Sequence, residues 1–307
     1  MGYLTGGLAA ATLYGKESLL LGRTRRYSHA DYLLGQRIGI SSWSFHNHFP
    51  QTRSSNYSGS HETFALLDFP AMMAERYKVH HLEFVAPHFA STEPTYLDEL
   101  RRQLIRAGSY LVNLAVDIKE LSAEGGLSDP GSQVRNAAVE AAKQWIDIAA
   151  HLRARSVRCD PGKMNPQNLA PTIDSCKRLV AYAGRKGVRV LVENHGGVGS
   201  EHPEELVKIF KSVNNRYFGA LPDFGNFPDA KTRARGLALL FPYAPTLCHA
   251  KGLEFDARGN EMKYNFANCV EIAKREKFRG VYSVEFEGPG DPYQGVQDVI
   301  NELLRYA

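Results

Sequence analysis

Eight short β-rich runs, their regular alternation with amphipathic helical stretches, and a length of 307 residues predict an α/β protein folded as one (β/α)8, or TIM, barrel. An N-terminal extension, residues 1–36, precedes the barrel expected over residues 37–307. Eight strand–helix units in roughly 270 residues suit a fold whose typical length is about 250.

The extension opens with MGYLTGGLAAATLYG (1–15), small and apolar like the middle of an export signal, but with no positive segment ahead of it. The basic cluster GRTRRYS (22–28) comes after the apolar stretch, the reverse of the export order. Read as a disordered extension, it leaves the chain cytoplasmic. A docking segment and an export signal that has lost its start are the alternatives. No stretch reaches transmembrane length, so no membrane partner is expected.

The strands follow in order: RIGISS (37–42), HHLEFV (80–85), YLVNLAV (110–116), RSVRC (155–159), VRVLVE (188–193), YFGALPD (217–223), PTLCHA (245–250) and GVYSVE (280–285). Between them, apolar residues recur at three- and four-residue steps, the spacing of a helix with one buried face. The helical stretch 128–154 opens with Ser-Asp-Pro, a cap with proline in the first turn. AYAGRKG (181–187) stops a helix on glycine, and DPYQGVQDVINELLRYA (291–307) opens the last helix with Asp-Pro. A doubly wound open sheet would need a glycine-rich phosphate turn after an early strand; ISSWSFHNHF, after the first, has no glycine. The polar segment 46–62 reads either as a lid above the barrel mouth or as a plain surface loop.

Composition narrows the partners. A net charge of +4, from 37 basic and 33 acidic residues, is too mild to argue for nucleic acid or an anionic membrane. Cys159, Cys176, Cys248 and Cys269 lie far apart with no CxxC pair and read as reduced, mostly buried thiols.

The runs of strands five to eight end on Glu193, Asp223, His249 and Glu285. Side chains alternate faces along a strand, so Glu193 points with Leu191, and Glu285 with Ser283 and Val281. In a barrel the last interior position opens into the bowl at the carboxyl-terminal mouth. An unpaired carboxylate there is costly, and a cation removes the cost. An ion pair with Lys251 or Arg158 would also do so. Four such ends in succession favour a divalent metal: Mn2+, Mg2+, Co2+ or Zn2+.

The phrases VENHGG (192–197), LPDFGNF (221–227), CHAKG (248–252) and VEFEG (284–288), in that order, resemble the sugar phosphate isomerase/epimerase family of xylose-isomerase-like barrels. The resemblance runs from about residue 37 to 305. It implies one divalent ion, commonly Mn2+, held by Glu193, Asp223, His249 and Glu285, with Glu193 and Glu285 as the acid/base pair. The relatives place a sugar-contacting histidine where this chain has Asn226, and an arginine where it has Phe255, with Arg258 nearby but displaced. Those departures weaken the case for simple ketose 3-epimerisation and leave the metal set intact.

The chemistry is coherent without the family. Removing a proton beside a carbonyl requires stabilising an enediolate, which Lewis-acid polarisation by a metal provides. A carboxylate on each face of the carbon suits epimerisation; one carboxylate and a donor suffice for isomerisation or β-elimination. Around the mouth, Trp43, His88, Arg158, His195, Asn226 and Lys251 are the candidate substrate contacts, with Asp117, Asp160 and Glu287 also correctly placed. Trp43 is equally a core residue, His195 a loop histidine, and Lys251 a partner for Glu285 or Glu287.

The expectation is a metal-dependent isomerase or epimerase acting on a small sugar or polyol ketone. A lyase on the same scaffold, by inosose-type dehydration or keto-glycoside elimination, is the first rival. A non-catalytic sugar-binding barrel is the second. A nuclease, on a barrel that apurinic-site endonucleases share, would need more histidines than the one convincing strand-end His249. Pairing of two copies is expected from the resemblance alone.

Overall fold

The computed structural model describes residues 36–60, 62–122 and 125–306, so the expected extension, with its signal-like stretch, lies outside the described residues apart from Gln36. All eight expected strands form: β1 Ile38–Ser41, β2 His81–Val85, β3 Tyr110–Ala115, β4 Ser156–Arg158, β5 Arg189–Glu193, β6 Phe218–Leu221, β7 Leu247–Gly252 and β8 Val281–Phe286. Every pairing is parallel, in the order β6-β5-β4-β3-β2-β1-β8-β7. β6 and β7 meet just beyond their ladders, through a parallel bridge between Asp223 and His249. There the His249 N–H donates to the Pro222 carbonyl at 2.9 Å, and the Phe224 N–H to the His249 carbonyl at 3.1 Å. The barrel is joined at two of the expected metal ligands.

The longer helices between and after the strands are α1 Phe69–Tyr77, α2 Pro94–Arg106, α3 Ser132–His151, α4 Ala170–Gly184, α5 Pro203–Val213, α6 Ala230–Leu240, α7 Phe266–Arg275 and α8 Pro292–Arg305. Proline in the first turn opens α1, α2, α4, α5 and α8, where a missing N–H costs nothing. Asp291 caps α8 by accepting from the Tyr293 N–H, as its Asp-Pro start foretold. At α3 the outcome differs. Ser128 closes a 3-10 turn, Asp129 accepts from the Gly131 N–H at 2.7 Å, and the helix begins only at Ser132. The aspartate there builds a turn on its own backbone rather than a cap.

Two layers of apolar packing position the site. Val112, Leu191, Leu221, Leu247 and Val281 plug the barrel interior. Leu191, Leu221 and Leu247 stand two residues before Glu193, Asp223 and His249, so the period-two rule lifts those three side chains above the plug. The outer faces of the strands pack against the helices in the larger core, which takes in Cys159, Cys176, Cys248 and Cys269. All four cysteines are free thiols.

Between plug and mouth lies a buried polar layer. A register shift between β2 and β3 pairs Glu83 with Asn113 instead of Val112. That bulge turns the Asn113 amide toward Glu83, and its Nδ2 donates to Glu83 Oε1 at 2.6 Å.

Candidate metal centre

Glu193, Asp223, His249 and Glu285 come together above the plug, all buried, with one donor atom from each lying within 4.8 Å of the others. His249 is at the middle. Its Nδ1 lies 3.1 Å from Glu193 Oε1 and 3.4 Å from both Asp223 Oδ2 and Glu285 Oε2. Its Nε2 faces the other way, 2.9 Å from Glu83 Oε2. Burial opposes a charge on this ring, but the carboxylates of Glu285, Glu83 and Glu193 outweigh it and hold the imidazole pKa well above its ordinary value.

Asp223 is hydrogen-bonded at one oxygen and ion-paired at the other. Oδ1 accepts from the Gly225 N–H at 2.6 Å and the Asn226 N–H at 3.0 Å. The Asn194 side chain clamps the same backbone, accepting from the Asp223 N–H at 2.7 Å and donating to its carbonyl at 3.1 Å. Oδ2 is buried without a hydrogen bond and faces the Lys251 ammonium, 3.2 Å away in poor alignment. That oxygen keeps lone pairs that a bound cation could take up.

The sums of charge point the same way. The connected network holds seven carboxylates (Glu83, Asp117, Asp160, Glu193, Asp223, Glu285 and Glu287) against two permanent cations, Arg158 and Lys251, and the imidazoles of His195 and His249. Burial lifts the Glu285 carboxyl to about 7, with Glu287 and Glu193 adding to the rise against His249 and Lys251. Three carboxylates and one imidazole are a fitting ligand set for a hard or borderline divalent ion.

The candidate substrate contacts separate into groups. Trp43, Arg158, His195 and Lys251 line a bowl of about 290 Å³ together with Glu193 and Glu285. Trp43 Nε1 donates to Glu287 Oε1 at 2.5 Å, so its ring stands as a fixed wall. Arg158 is buried, and its guanidinium is engaged by Asp117 at 2.6 Å, by Glu193 at 3.2 Å and by Asp160. Lys251 Nζ lies 3.0 Å from both Glu285 Oε2 and Glu287 Oε2. His195 is exposed, and its Nδ1 meets Asp160 Oδ2 at 3.1 Å, a contact that raises its pKa to about 9. Asp160, Glu193 and His195 form a second close trio, but the Arg158 guanidinium already bridges its two carboxylates.

Asn226 and His88 are placed differently from expectation. Asn226 braces the cluster: Nδ2 donates to Glu193 Oε1 at 3.0 Å and Oδ1 accepts from Lys251 Nζ at 3.1 Å. His88 lies beneath the bowl's surface, stacked on Phe49 at 3.8 Å between ring centroids. Ser42 and Thr52 occupy its two ring nitrogens at 2.9 Å each, and burial lowers its pKa to about 3. Neither nitrogen is open to a sugar. Among the described residues of the polar segment 46–62, only Thr52 lines the bowl.

Glu83 escaped the sequence reading. It is fully buried in β2 and accepts from Asn113 Nδ2 at 2.6 Å and Ser283 Oγ at 2.7 Å besides meeting His249. Burial would raise its pKa, yet His249, Asn113 and Ser283 together bring it down to about 2. The available signal was an acidic residue inside the short apolar run HHLEFV.

Residues 73–306 match the family described as xylose isomerase-like TIM barrel. The chain belongs to that family. Among curated proteins, none matches it by sequence. Solved structures share its fold at low identity. A xylose isomerase-like barrel from Mycobacterium smegmatis, in complex with magnesium, superposes with a TM-score of 0.61 at 15% identity, covering 88% of this chain and 97% of the other. The IOLI protein with a bound zinc atom gives 0.66 at 14%, covering 88% and 99%. D-psicose 3-epimerase from Clostridium cellulolyticum H10, with D-tagatose, gives 0.62 at 12%, covering 88% and 96%. Among the described residues, no helix of this family member is long and apolar enough to cross a membrane.

Proposed function

We propose that this xylose isomerase-like barrel is a divalent-metal-dependent isomerase or epimerase of a small sugar or polyol ketone. The observation that carries the reading is the convergence of Glu193, Asp223, His249 and Glu285 at the floor of the bowl, with Asp223 Oδ2 buried and free of hydrogen bonds. These four residues would hold the ion, which supplies Lewis-acid polarisation of a carbonyl oxygen. Relatives of this fold hold magnesium or zinc, and one binds the ketose D-tagatose. Mn2+ is the ion we assign first, from the resemblance of these four positions to those of the family's epimerases.

The chain's own residues divide the remaining work. Glu193 takes or returns the proton of the carbon beside the carbonyl, oriented by Asn226 and Arg158. Glu285 is the complementary acid/base carboxylate. Trp43 walls the sugar, and Lys251 neutralises oxygen charge beside Glu285 and Glu287.

Lyase chemistry is the second reading. The Lys251 ammonium, 3.0 Å from two carboxylates, supports it as a group that would donate a proton to a leaving hydroxyl or alkoxide. Elemental mass spectrometry of the wild type and Asp223→Ala tests the centre: one divalent ion per chain, lost in the variant, is expected. Solvent deuterium entering a ketose without loss of water or aglycone then marks an isomerase. A released product marks the lyase, and binding with no exchange marks a non-catalytic barrel. An ion absent from both proteins after Mn2+ loading overturns the proposal.

A further inference from the structure

A second cavity, of about 690 Å³, adjoins the bowl on the side of the loops after β3, β4 and β5. The two spaces share Asp117, Glu193 and His195, so a molecule reaching across that boundary touches both. The bowl alone is near the roughly 300 Å³ lower limit of small-molecule sites, whereas the side cavity is well within their range. A single sugar ring positioned for chemistry at Glu193 and Glu285 leaves the larger space empty.

The side cavity has a fixed wall. The loop after β4 passes so close to the loop after β3 that a Cβ at Gly162 would come within 2.5 Å of the Gly125 carbonyl oxygen and 2.8 Å of the Leu121 carbonyl oxygen, and within the β3 loop a Cβ at Gly126 would come within 2.0 Å of the Leu121 carbonyl oxygen. Both glycines also have positive φ, +56° and +75°, which side chains rarely adopt. No other residue allows this approach, and the space beside it is pre-formed.

Its chemistry is that of an uncharged occupant. Ile118, Leu121, Met164 and Val198 contribute apolar surface. At the junction, Asp117 and Asp160 are engaged by Arg158, and Asp160 also by His195. Among the described residues no arginine lines the cavity; its cationic side chains, Lys119, Lys163 and His195, are exposed, and Glu201 lines it as well. A phosphate would find no buried cation there, while a flat-faced neutral group would remove apolar surface from water.

We propose that the substrate is a keto-glycoside, with its ketone-bearing sugar ring in the bowl and its uncharged aglycone in the side cavity between Ile118, Met164 and Val198. The inference rests on reading the bowl as the reaction centre and adds the class of molecule that fills it.

Calorimetric titration of the full chain, loaded with Mn2+, tests this with matched methyl and phenyl glycosides, both anomers, of glucose, galactose, mannose and xylose, used as non-reacting analogues that lack the ketone. At least one phenyl glycoside is expected to bind about tenfold more tightly than its methyl counterpart. Met164→Trp and Val198→Trp, two independent ways of filling the cavity, are each expected to erase that gain and leave methyl glycoside affinity within about twofold. No phenyl advantage anywhere in the panel overturns the proposal, as does an advantage that survives both variants. Glucose 6-phosphate outbinding every phenyl glycoside, with the excess lost in Lys119→Ala or Lys163→Ala, also overturns it in favour of a phosphate. Metal binding and ketose deuterium exchange without a phenyl advantage would sink this inference alone. A phenyl advantage in a chain that holds no metal would sink the isomerase reading and leave the cavity's assignment standing.

Discussion

Glu83 Oε2 sits 2.9 Å from His249 Nε2, so the other ring nitrogen, Nδ1, is the one turned toward Glu193, Asp223 and Glu285. A carboxylate behind a ligating histidine sets both its tautomer and its orientation. Glu83 is thereby a positioning residue for the proposed metal centre, reached from β2, three strands away from β7.

Glu83→Ala should therefore weaken metal binding by about 10- to 100-fold, read by competition with a chromogenic chelator. Glu83→Gln keeps an oxygen acceptor for His249 and should lose less. Equal affinity in all three proteins would remove Glu83 from the centre.

Metal binding should strengthen as pH rises through about 7. Burial keeps a proton on Glu285 up to about 7, and neighbouring carboxylates keep one on His249 well above its ordinary range. A ligand must surrender its proton, so each proton released adds at most about tenfold in affinity per pH unit. Calorimetry in buffers of different ionisation enthalpy counts those protons. Affinity unchanged between about pH 6 and 8 would contradict the assigned ligand states.

Lys251→Met should destabilise the metal-free chain by roughly 3–5 kcal/mol, because it leaves Asp223 and Glu285 buried with one cation fewer. Added Mn2+ should recover more melting temperature in the variant than in the wild type. Equal metal-induced shifts would mean that Lys251 does not share the charge of the centre.

The four thiols should be silent in the native chain. Burial raises Cys176 and Cys269 to about 12 and lifts Cys159 and Cys248 as well. A disulfide reagent at neutral pH should label no cysteine before denaturation and all four afterwards. Rapid labelling of any one in the folded protein would show that its strand or helix opens.

Local pattern was enough for much of this molecule. The alternation of apolar residues in VRVLVE placed Glu193 on the face of Leu191, and GVYSVE placed Glu285 on that of Val281; both apolar partners lie in the interior plug. It was not enough for HHLEFV. In a parallel barrel both strand faces are buried, so an acidic residue inside such a run does not reveal which partner balances it. Glu83 depends on a histidine 166 positions away and a serine 200 positions away. His88 failed for a related reason: its place after β2 was correct, but its depth was set by Phe49, Ser42 and Thr52 from the loop after β1.

The sequence by itself determined the eight strand–helix units and which side chains stand at the ends of β5 to β8, because period and strand-end position are properties of contiguous residues. Only the tertiary structure decided that Asp223 and His249 would join β6 to β7, that Lys251 and Asn226 would brace the cluster, and that Arg158 would be occupied by three carboxylates. Charge pairing acts through space over a few ångströms, and barrel closure chooses which distant residues come that near.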